Sequence, residues 1–362
     1  IEFTGTISGN RIITFPLLTE NFYIIKNSTS GAYTVQLKAV SGSGATVTFS
    51  TTEKGYKIIY LDGVATNTGV YDITSDLNID DLTVNNLIVK ESLDVNGTIK
   101  LDGNYPNGSN NVALGNGALD GSLSGTGLNV AIGDSAMTKN TSGAENTAVG
   151  RLAMGCNTTG SYNVAFGTNT MQKNTEGEEN SAFGMQAMNN NTTGDGNSAV
   201  GTAALNANIS GSSNTAVGKR SLKTNTTASN NTAVGFDSLC ANTTGGSNVA
   251  LGFESLKTNT TASNNTAVGL CSMALNTTGN LNTAVGQTSL KANTEGSCNT
   301  TMGGLAMNAN TTGGCNTGVG AYALKSNTTA SNNTSVGYQS LCTNTTGANN
   351  TALGTCSLRA NT

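Results

Sequence analysis

The stretch NTAVGRLAMGCNTTGSY, residues 146–162, decides the fold because close variants of it recur along most of the chain. Fifteen copies each begin with an Asn, from Asn111 to Asn350, and together they fill residues 111–362. The first step between copies is 18 residues, and the next thirteen steps are all 17 residues. A fixed period of this kind is typical of a repeat protein in which each unit packs only on its neighbours.

Some positions of the repeat are constant and others vary. Numbered from the leading Asn, position 5 is Gly and position 9 is Leu or Met in all fifteen copies, while position 12 is Asn from Asn140 to Asn361. Stacked Asn side chains can pass amide hydrogen bonds from one unit to the next. We therefore predict structural ladders at positions 1, 5 and 12. In the second and third copies their members are Asn129, Gly133, Asn140, Asn146, Gly150 and Asn157.

The local pattern predicts short strands instead of helices. Seventeen residues are too few for two packed helices, and Gly, Asn and Thr disfavour helix. Positions 1 to 5 alternate, with Thr or Val at 2 and a larger apolar residue at 4 on one side and Ala at 3 on the other. A second short strand is predicted through position 9, and Asn-Thr-Thr-Gly is predicted to be a turn. The sequence thus predicts an all-β fold with a parallel β-solenoid, or β-roll, of about fifteen coils.

Composition excludes several classes of function. The chain has 362 residues, no His, 17 Lys plus Arg and 21 Asp plus Glu, for a net charge of −4. Without His the commonest general base and metal ligand is missing. No basic block could follow a phosphate backbone, and no run approaches the roughly 20 apolar residues that cross a bilayer. We expect no enzyme activity, no cofactor, no metal site, no nucleic-acid partner and no membrane insertion.

Two segments precede the repeats. Residues 1–72 contain five alternating segments separated by Ser-Gly and Asn-Ser turns, which predict a small β-sandwich-like module or a distorted barrel. The five segments are Arg11–Phe15, Asn21–Lys26, Tyr33–Val40, Ala45–Ser50 and Tyr56–Leu61. Residues 73–110 carry apolar pairs every five or six residues, a spacing that is wrong for a heptad. We predict that this segment is an intertwined β-stem or linker.

Each coil offers only two sizeable apolar side chains, at positions 4 and 9. Their burial and the ladder hydrogen bonds do not offset the entropy lost on ordering 17 residues. More burial is needed, and a homotrimer would supply it, with the small residues at positions 3 and 8 allowing close approach. We therefore predict a homotrimer.

The run Asn129-Val130-Ala131-Ile132-Gly133, with its downstream Ala or Ser and Leu or Met, resembles the head repeats of trimeric autotransporter adhesins. Those heads are trimeric left-handed parallel β-rolls, with units usually shorter than 17 residues. The longer unit with Asn-Thr-Thr-Gly is more similar to the repetitive β-roll shafts of phage tail fibres. This second resemblance implies a structural and adhesive viral fibre that mediates host attachment, located on the virion outside the cell. Its implied partners are a glycan or protein receptor and other tail proteins. The alternative is the head of a bacterial adhesin on the cell surface.

Four aromatic residues are candidate surface contacts for a receptor. Phe236, Phe253 and Tyr338 occupy position 6, and Tyr322 occupies position 7. Sugar rings stack on aromatic faces. The alternative, which we favour, is that these side chains cover a groove between protomers.

Three other patterns have a structural and a functional interpretation. Cys298 and Cys315 share position 17 of adjacent coils, a spacing that allows a disulfide, although free thiols are the favoured alternative. The cluster at 176–179 contains three Glu that could serve glycoside hydrolysis, but a solvated turn is favoured because no second carboxylate is fixed nearby. Glycosylation signals recur at position 12, where we favour a structural ladder. The Asn residues concerned include Asn157, Asn191, Asn225, Asn242 and Asn276.

Overall fold

The computed structural model describes residues 1–17, 20–40, 43–64, 68–72, 110–121 and 127–361. All regular secondary structure in these ranges is β-strand, so the all-β prediction is confirmed. The chain divides into two compact units, Ile1–Asn96 and Gly97–Thr362. The predicted stem lies outside the described residues except for Asn110.

The first unit contains seven strands in two sheets. One sheet has the order β1-β3-β6-β7 and the other has the order β2-β4-β5. Each of the five segments predicted from the sequence contains a strand, while β1 and β7 were not predicted. The strands are β1 (Glu2–Thr6), β2 (Arg11–Phe15), β3 (Glu20–Ser30), β4 (Val35–Ala39), β5 (Val47–Phe49), β6 (Gly55–Asp62) and β7 (Val70–Asp72).

Both small sheets contribute to one hydrophobic core. Leu37 and Phe49 from one sheet pack with Ile25 and Ile59 from the other, and all four are fully buried. Such a core between two sheets is the arrangement of a β-sandwich. The alternation of apolar and polar residues within each strand is what separates the buried face from the exposed face.

The second unit is a parallel β-solenoid. Fifteen three-residue strands form a single sheet in sequence order. Each strand covers positions 2 to 4 and pairs in parallel with the same positions of the next coil, as Thr147 does with Val164. The predicted solenoid with its 17-residue period is therefore confirmed. The strands are β8 (Val112–Leu114), β9 (Val130–Ile132), β10 (Thr147–Val149), β11 (Val164–Phe166), β12 (Ser181–Phe183), β13 (Ser198–Val200), β14 (Thr215–Val217), β15 (Thr232–Val234), β16 (Val249–Leu251), β17 (Thr266–Val268), β18 (Thr283–Val285), β19 (Thr300–Met302), β20 (Thr317–Val319), β21 (Thr334–Val336) and β22 (Thr351–Leu353).

The predicted second strand through position 9 is wrong, because that segment is a series of turns. In the coil that begins at Asn146, Leu152 at position 7 and Met154 at position 9 have φ of 56° and 50°. These are left-handed conformations, which non-glycine residues adopt uncommonly. Hydrogen bonds between coils hold them: the Leu152 N–H donates to the Asp134 carbonyl at 2.9 Å, and the Met154 N–H donates to the Thr170 carbonyl at 3.0 Å.

The structure decides which face of the short strand lies inside the coil. Ala148 at position 3 points inward and is fully buried, as are Ala153 at position 8 and Met154 at position 9. Val149 at position 4 points outward and is half-buried. In a strand of three residues, only the middle side chain, at position 3, points inward. The interior beside the Leu or Met at position 9 is thin and accepts only a small side chain there. The small residues at positions 3 and 8 therefore pack inside each coil and do not serve contacts between copies.

Glycine at position 5 is required by both conformation and space. Gly303 has φ of +135°, and a Cβ built there would lie 2.6 Å from the carbonyl carbon of Gly320 in the next coil. The neighbouring Gly304, at position 6, would place a Cβ with nothing within 4 Å. The position 5 column is thus a line of close backbone contacts between coils.

We expect Gly303→Ala to destabilise the solenoid and Gly304→Ala to leave it unchanged. Backbone strain alone costs about 1–3 kcal/mol at such a φ, and the overlap with Gly320 adds to it. Thermal unfolding followed by circular dichroism measures the difference. Equal midpoints for the two adjacent substitutions would contradict this account of position 5.

Candidate functional site

The Asn side chains at position 12 form a buried column of amides. Asn157 Nδ2 donates to Asn140 Oδ1 in the preceding coil at 2.9 Å and to the Gly160 carbonyl of its own turn at 2.9 Å. Its Oδ1 accepts from Asn174 Nδ2 in the following coil at 2.8 Å. Both N–H groups and the oxygen of each amide are thus used. These asparagines are fully buried, which leaves no room for a glycan at the signals noted in the sequence.

The Asn side chains at position 1 form a second column that meets the first. Asn146 donates from its backbone N–H to Asn129 Oδ1 at 2.9 Å. Asn146 Nδ2 donates to the Gly160 carbonyl at 2.9 Å, and Asn157 Nδ2 donates to the same oxygen. The carbonyl at position 15 therefore joins both columns in each coil.

We expect Asn225→Asp to be strongly destabilising at neutral pH. Asn225 Nδ2 donates to Asn208 Oδ1 and to the Ala228 carbonyl, both at 2.9 Å. A carboxylate there would face two oxygens in a buried site, which costs on the order of 3 kcal/mol or more. Burial raises the pKa of such a carboxyl, so the loss is greatest above that pKa and diminishes as acid protonates the group.

The matched control is Asn264→Asp, at the exposed position 17, where Asp tolerates the left-handed conformation. Thermal unfolding midpoints at pH 7 and pH 4 measure both variants. A similar loss in both variants, or a loss for Asn225→Asp that does not diminish in acid, would contradict the ladder as the cause.

The outward side chains at positions 2 and 4 of β8–β22 form a surface that we call the sheet face. Position 4 is apolar in all fifteen coils, and Val217, Val234 and Leu251 are 36%, 37% and 36% exposed. Parallel sheets are normally covered on both faces, and a long exposed apolar stripe marks an interaction surface. The position 4 residues are Leu114, Ile132, Val149, Phe166, Phe183, Val200, Val217, Val234, Leu251, Val268, Val285, Met302, Val319, Val336 and Leu353.

The structure brings the candidate aromatics together in two pairs. The Phe236 and Phe253 rings are stacked, with centroids 5.4 Å apart and planes 14° apart. Tyr322 and Tyr338 meet edge to face at 5.9 Å. A third pair, Phe166 and Phe183 at position 4, is also stacked at 5.4 Å. Sequence reasoning missed this third pair, although the shared position in adjacent coils is the signal that finds it.

An ion pair beside the phenylalanines was also missed. Arg220 Nε donates to Asp237 Oδ1 at 2.6 Å, and Arg220 Nη2 donates to Asp237 Oδ2. Asp237 is almost completely buried, and the hydrogen bond to it holds the pKa of Arg220 above its ordinary value. The Arg220 guanidinium lies 5.1 Å from the centroid of the Phe236 ring, within cation–π range. The sequence signal was two opposite charges 17 residues apart.

The cysteines of the described residues are free thiols. Cys298 and Cys315, the possible disulfide, are both exposed. Cys240 is half-buried, and burial raises the pKa of its thiol, with the Asp237 carboxylate adding to the effect.

We expect Cys298 and Cys315 to react with iodoacetamide faster than Cys240 in the native protein. The thiolate is the reactive form, and Cys240 is both less accessible and less ionised. Peptide mass spectrometry after timed labelling near pH 8 measures the rates, with the protein unfolded in guanidinium as the control that equalises access. Faster native labelling of Cys240 would contradict the burial argument.

The candidate acidic cluster lies on one turn of the coil that begins at Asn163. Glu176, Glu178 and Glu179 are all exposed on one turn, and the Glu178 N–H donates to Asp195 Oδ1 at 2.8 Å. In these ranges no three His, Cys, Asp or Glu side chains gather as a metal site would require. No helix there has the length and apolar character needed to span a membrane.

Comparison with known protein families, curated proteins and solved structures finds no match to this chain. The solenoid's own surfaces therefore indicate what the chain can bind. Two of them stand out: the apolar sheet face, and the aromatic and charged surface around Phe236.

Proposed function

We propose that the chain is the shaft or distal segment of a homotrimeric viral tail fibre that presents host-receptor binding and mediates attachment to the host cell. Its place is on the virion, outside the cell, with other tail proteins and a host surface receptor as partners. The observation that carries this proposal is the uncovered apolar sheet face along all fifteen strands of the solenoid.

The sheet face suits association between copies of this chain. The apolar position 4 stripe continues over all fifteen strands, and a standard stable interface buries roughly 800 Å² per partner. Two copies also share the same coil spacing, so their rows of side chains can interdigitate rung by rung. A threefold arrangement closes such contacts around one axis and leaves no copy with an open face.

A stacked solenoid also suits a spacer. Coils separated by about 4.8 Å give a rod on the order of 70 Å for fifteen strands. The constant positions face the interior, whereas position 6 varies and is exposed in most coils. The outer surface can therefore carry recognition without changing the coil.

We expect the purified protein to be a trimer by sedimentation equilibrium, and Val217→Asp with Val234→Asp to convert it to monomers. Charges on the sheet face repel at a threefold contact and cannot be buried there without cost. The control is Thr227→Asp with Thr244→Asp at the exposed position 14, which we expect to remain trimeric. A monomeric unsubstituted protein would overturn the proposed assembly.

Attachment is tested with fluorescently labelled protein on host cells, and location is tested with gold-labelled antibody. Binding to cells together with label on viral particles supports the fibre. The alternative is the head of a bacterial trimeric autotransporter adhesin, which the pentapeptide Asn129–Gly133 also favours. Label on the bacterial surface, and not on particles, would support that alternative and overturn the fibre proposal.

A further inference from the structure

One side of the solenoid departs from the usual polar character of its variable positions. Position 6 of four consecutive coils is occupied by Lys219, Phe236, Phe253 and Leu270. All four side chains are exposed, with Phe236 at 37% and Phe253 at 47%. In-register stacking places them in one column, in which the Phe236 and Phe253 rings face each other. The exposed parts of these rings form a continuous apolar platform bordered by Lys219 at one end.

Positions 7 and 10 of the same coils add charged groups beside the platform. Asp237 fixes Arg220 over the Phe236 ring, and Glu254 accepts a hydrogen bond from Lys257 Nζ at 2.8 Å. Lys219 and Lys223 have no carboxylate within 4 Å among the described residues. Residues 214–264 thus hold four cations against two carboxylates, a local charge of +2 in a chain of −4.

Backbone hydrogen bonds make this surface rigid. The Asp237 N–H donates to the Lys219 carbonyl at 3.2 Å, and the Glu254 N–H donates to the Phe236 carbonyl at 2.9 Å. The ion pair between Arg220 and Asp237 is bidentate, which fixes the guanidinium plane. Little side-chain entropy is lost when a ligand binds to such a preorganised surface.

We propose that this surface, formed by Lys219, Arg220, Lys223, Phe236 and Phe253 and called here the aromatic patch, binds acidic polysaccharide. The apolar face of a sugar ring packs on the exposed aromatic surface, and the uncompensated Lys219 and Lys223 pair with carboxylate or sulfate groups. The side chains of Lys219, Phe236 and Phe253 are exposed, which suits a polymer chain better than an enclosed small molecule. The inference rests on the proposed function, since it names the class of receptor that the solenoid would recognise.

Single-stranded nucleic acid is the other polyanion that uses aromatic stacking. It is disfavoured because the positive charge extends over only three coils, and the preceding coils are acidic: residues 163–196 hold one Lys, three Glu and one Asp. A nucleic-acid groove needs a longer run of cations along the backbone.

The experiment measures binding of the full chain to oligogalacturonate by biolayer interferometry, with a neutral malto-oligosaccharide and oligothymidylate as comparison probes. Phe236→Ala with Phe253→Ala should weaken oligogalacturonate binding at least about ten-fold, since the exposed aromatic surface is lost. Thr202→Ala with Gln287→Ala, at position 6 of other coils, is the matched control and should bind as the unsubstituted chain does.

The contribution of charge is tested in the same assay. Lys219→Ala with Lys223→Ala should weaken binding and reduce its dependence on salt, whereas Lys173→Ala with Lys291→Ala removes the same charge elsewhere and should not. Circular dichroism checks that each variant keeps its fold, as expected for substitutions at the solvent-facing side.

Several outcomes would overturn the aromatic patch as the site. They are absent binding by the unsubstituted chain, equal binding by all variants, equal affinity for the neutral probe, or preference for oligothymidylate. Oligomeric mass and attachment to host cells are measured on the same variants. If the protein is a trimer and attaches to host cells but does not bind polysaccharide, only this inference fails. If the protein is a monomer and does not attach to cells, the proposed function itself is refuted.

Discussion

The solenoid depends on hydrogen bonding between identical positions of successive coils. The carbonyl at position 15, such as that of Gly160, accepts from the amides of Asn146 and Asn157, and each of these amides also bonds the preceding coil. One extra residue anywhere between positions 1 and 15 would separate these groups. The 17-residue period is therefore a requirement of buried polar groups, which must find partners once they leave water.

This requirement explains why the fold could be predicted from the sequence and where the prediction failed. The columns of Gly150 and Asn157 have no variants, so the period and the stacked architecture follow directly. The direction of Val149 does not follow, because an apolar residue in an alternating strand suits either a core or an interface. The inward position of the Met154 side chain decides which way Val149 points. That position depends on a left-handed backbone conformation, which Leu and Met do not favour.

The candidate surfaces could be predicted from the sequence to a smaller extent than the fold, because the period fixes which residues are neighbours but not how their side chains meet. Phe236 and Phe253 share a position, so their proximity follows from the period alone. Arg220 and Asp237 share one too, but their ion pair depends on side-chain length and on the turn at position 7. The fold constrains the residue type least at the variable positions, and the chemistry specific to this chain is concentrated there.

The amide columns also have a direction. Each Nδ2 donates toward the preceding coil, from Asn174 to Asn157 and from Asn157 to Asn140, and the position 1 column runs the same way. The side-chain dipoles therefore align head to tail, and each one polarises the next. At the first rung of the position 1 column, Asn111 Nδ2 is buried without a partner among the described residues. A coil added to an existing stack enters an already polarised column, so growth of the stack is easier than its nucleation, and the two ends of the stack are chemically different.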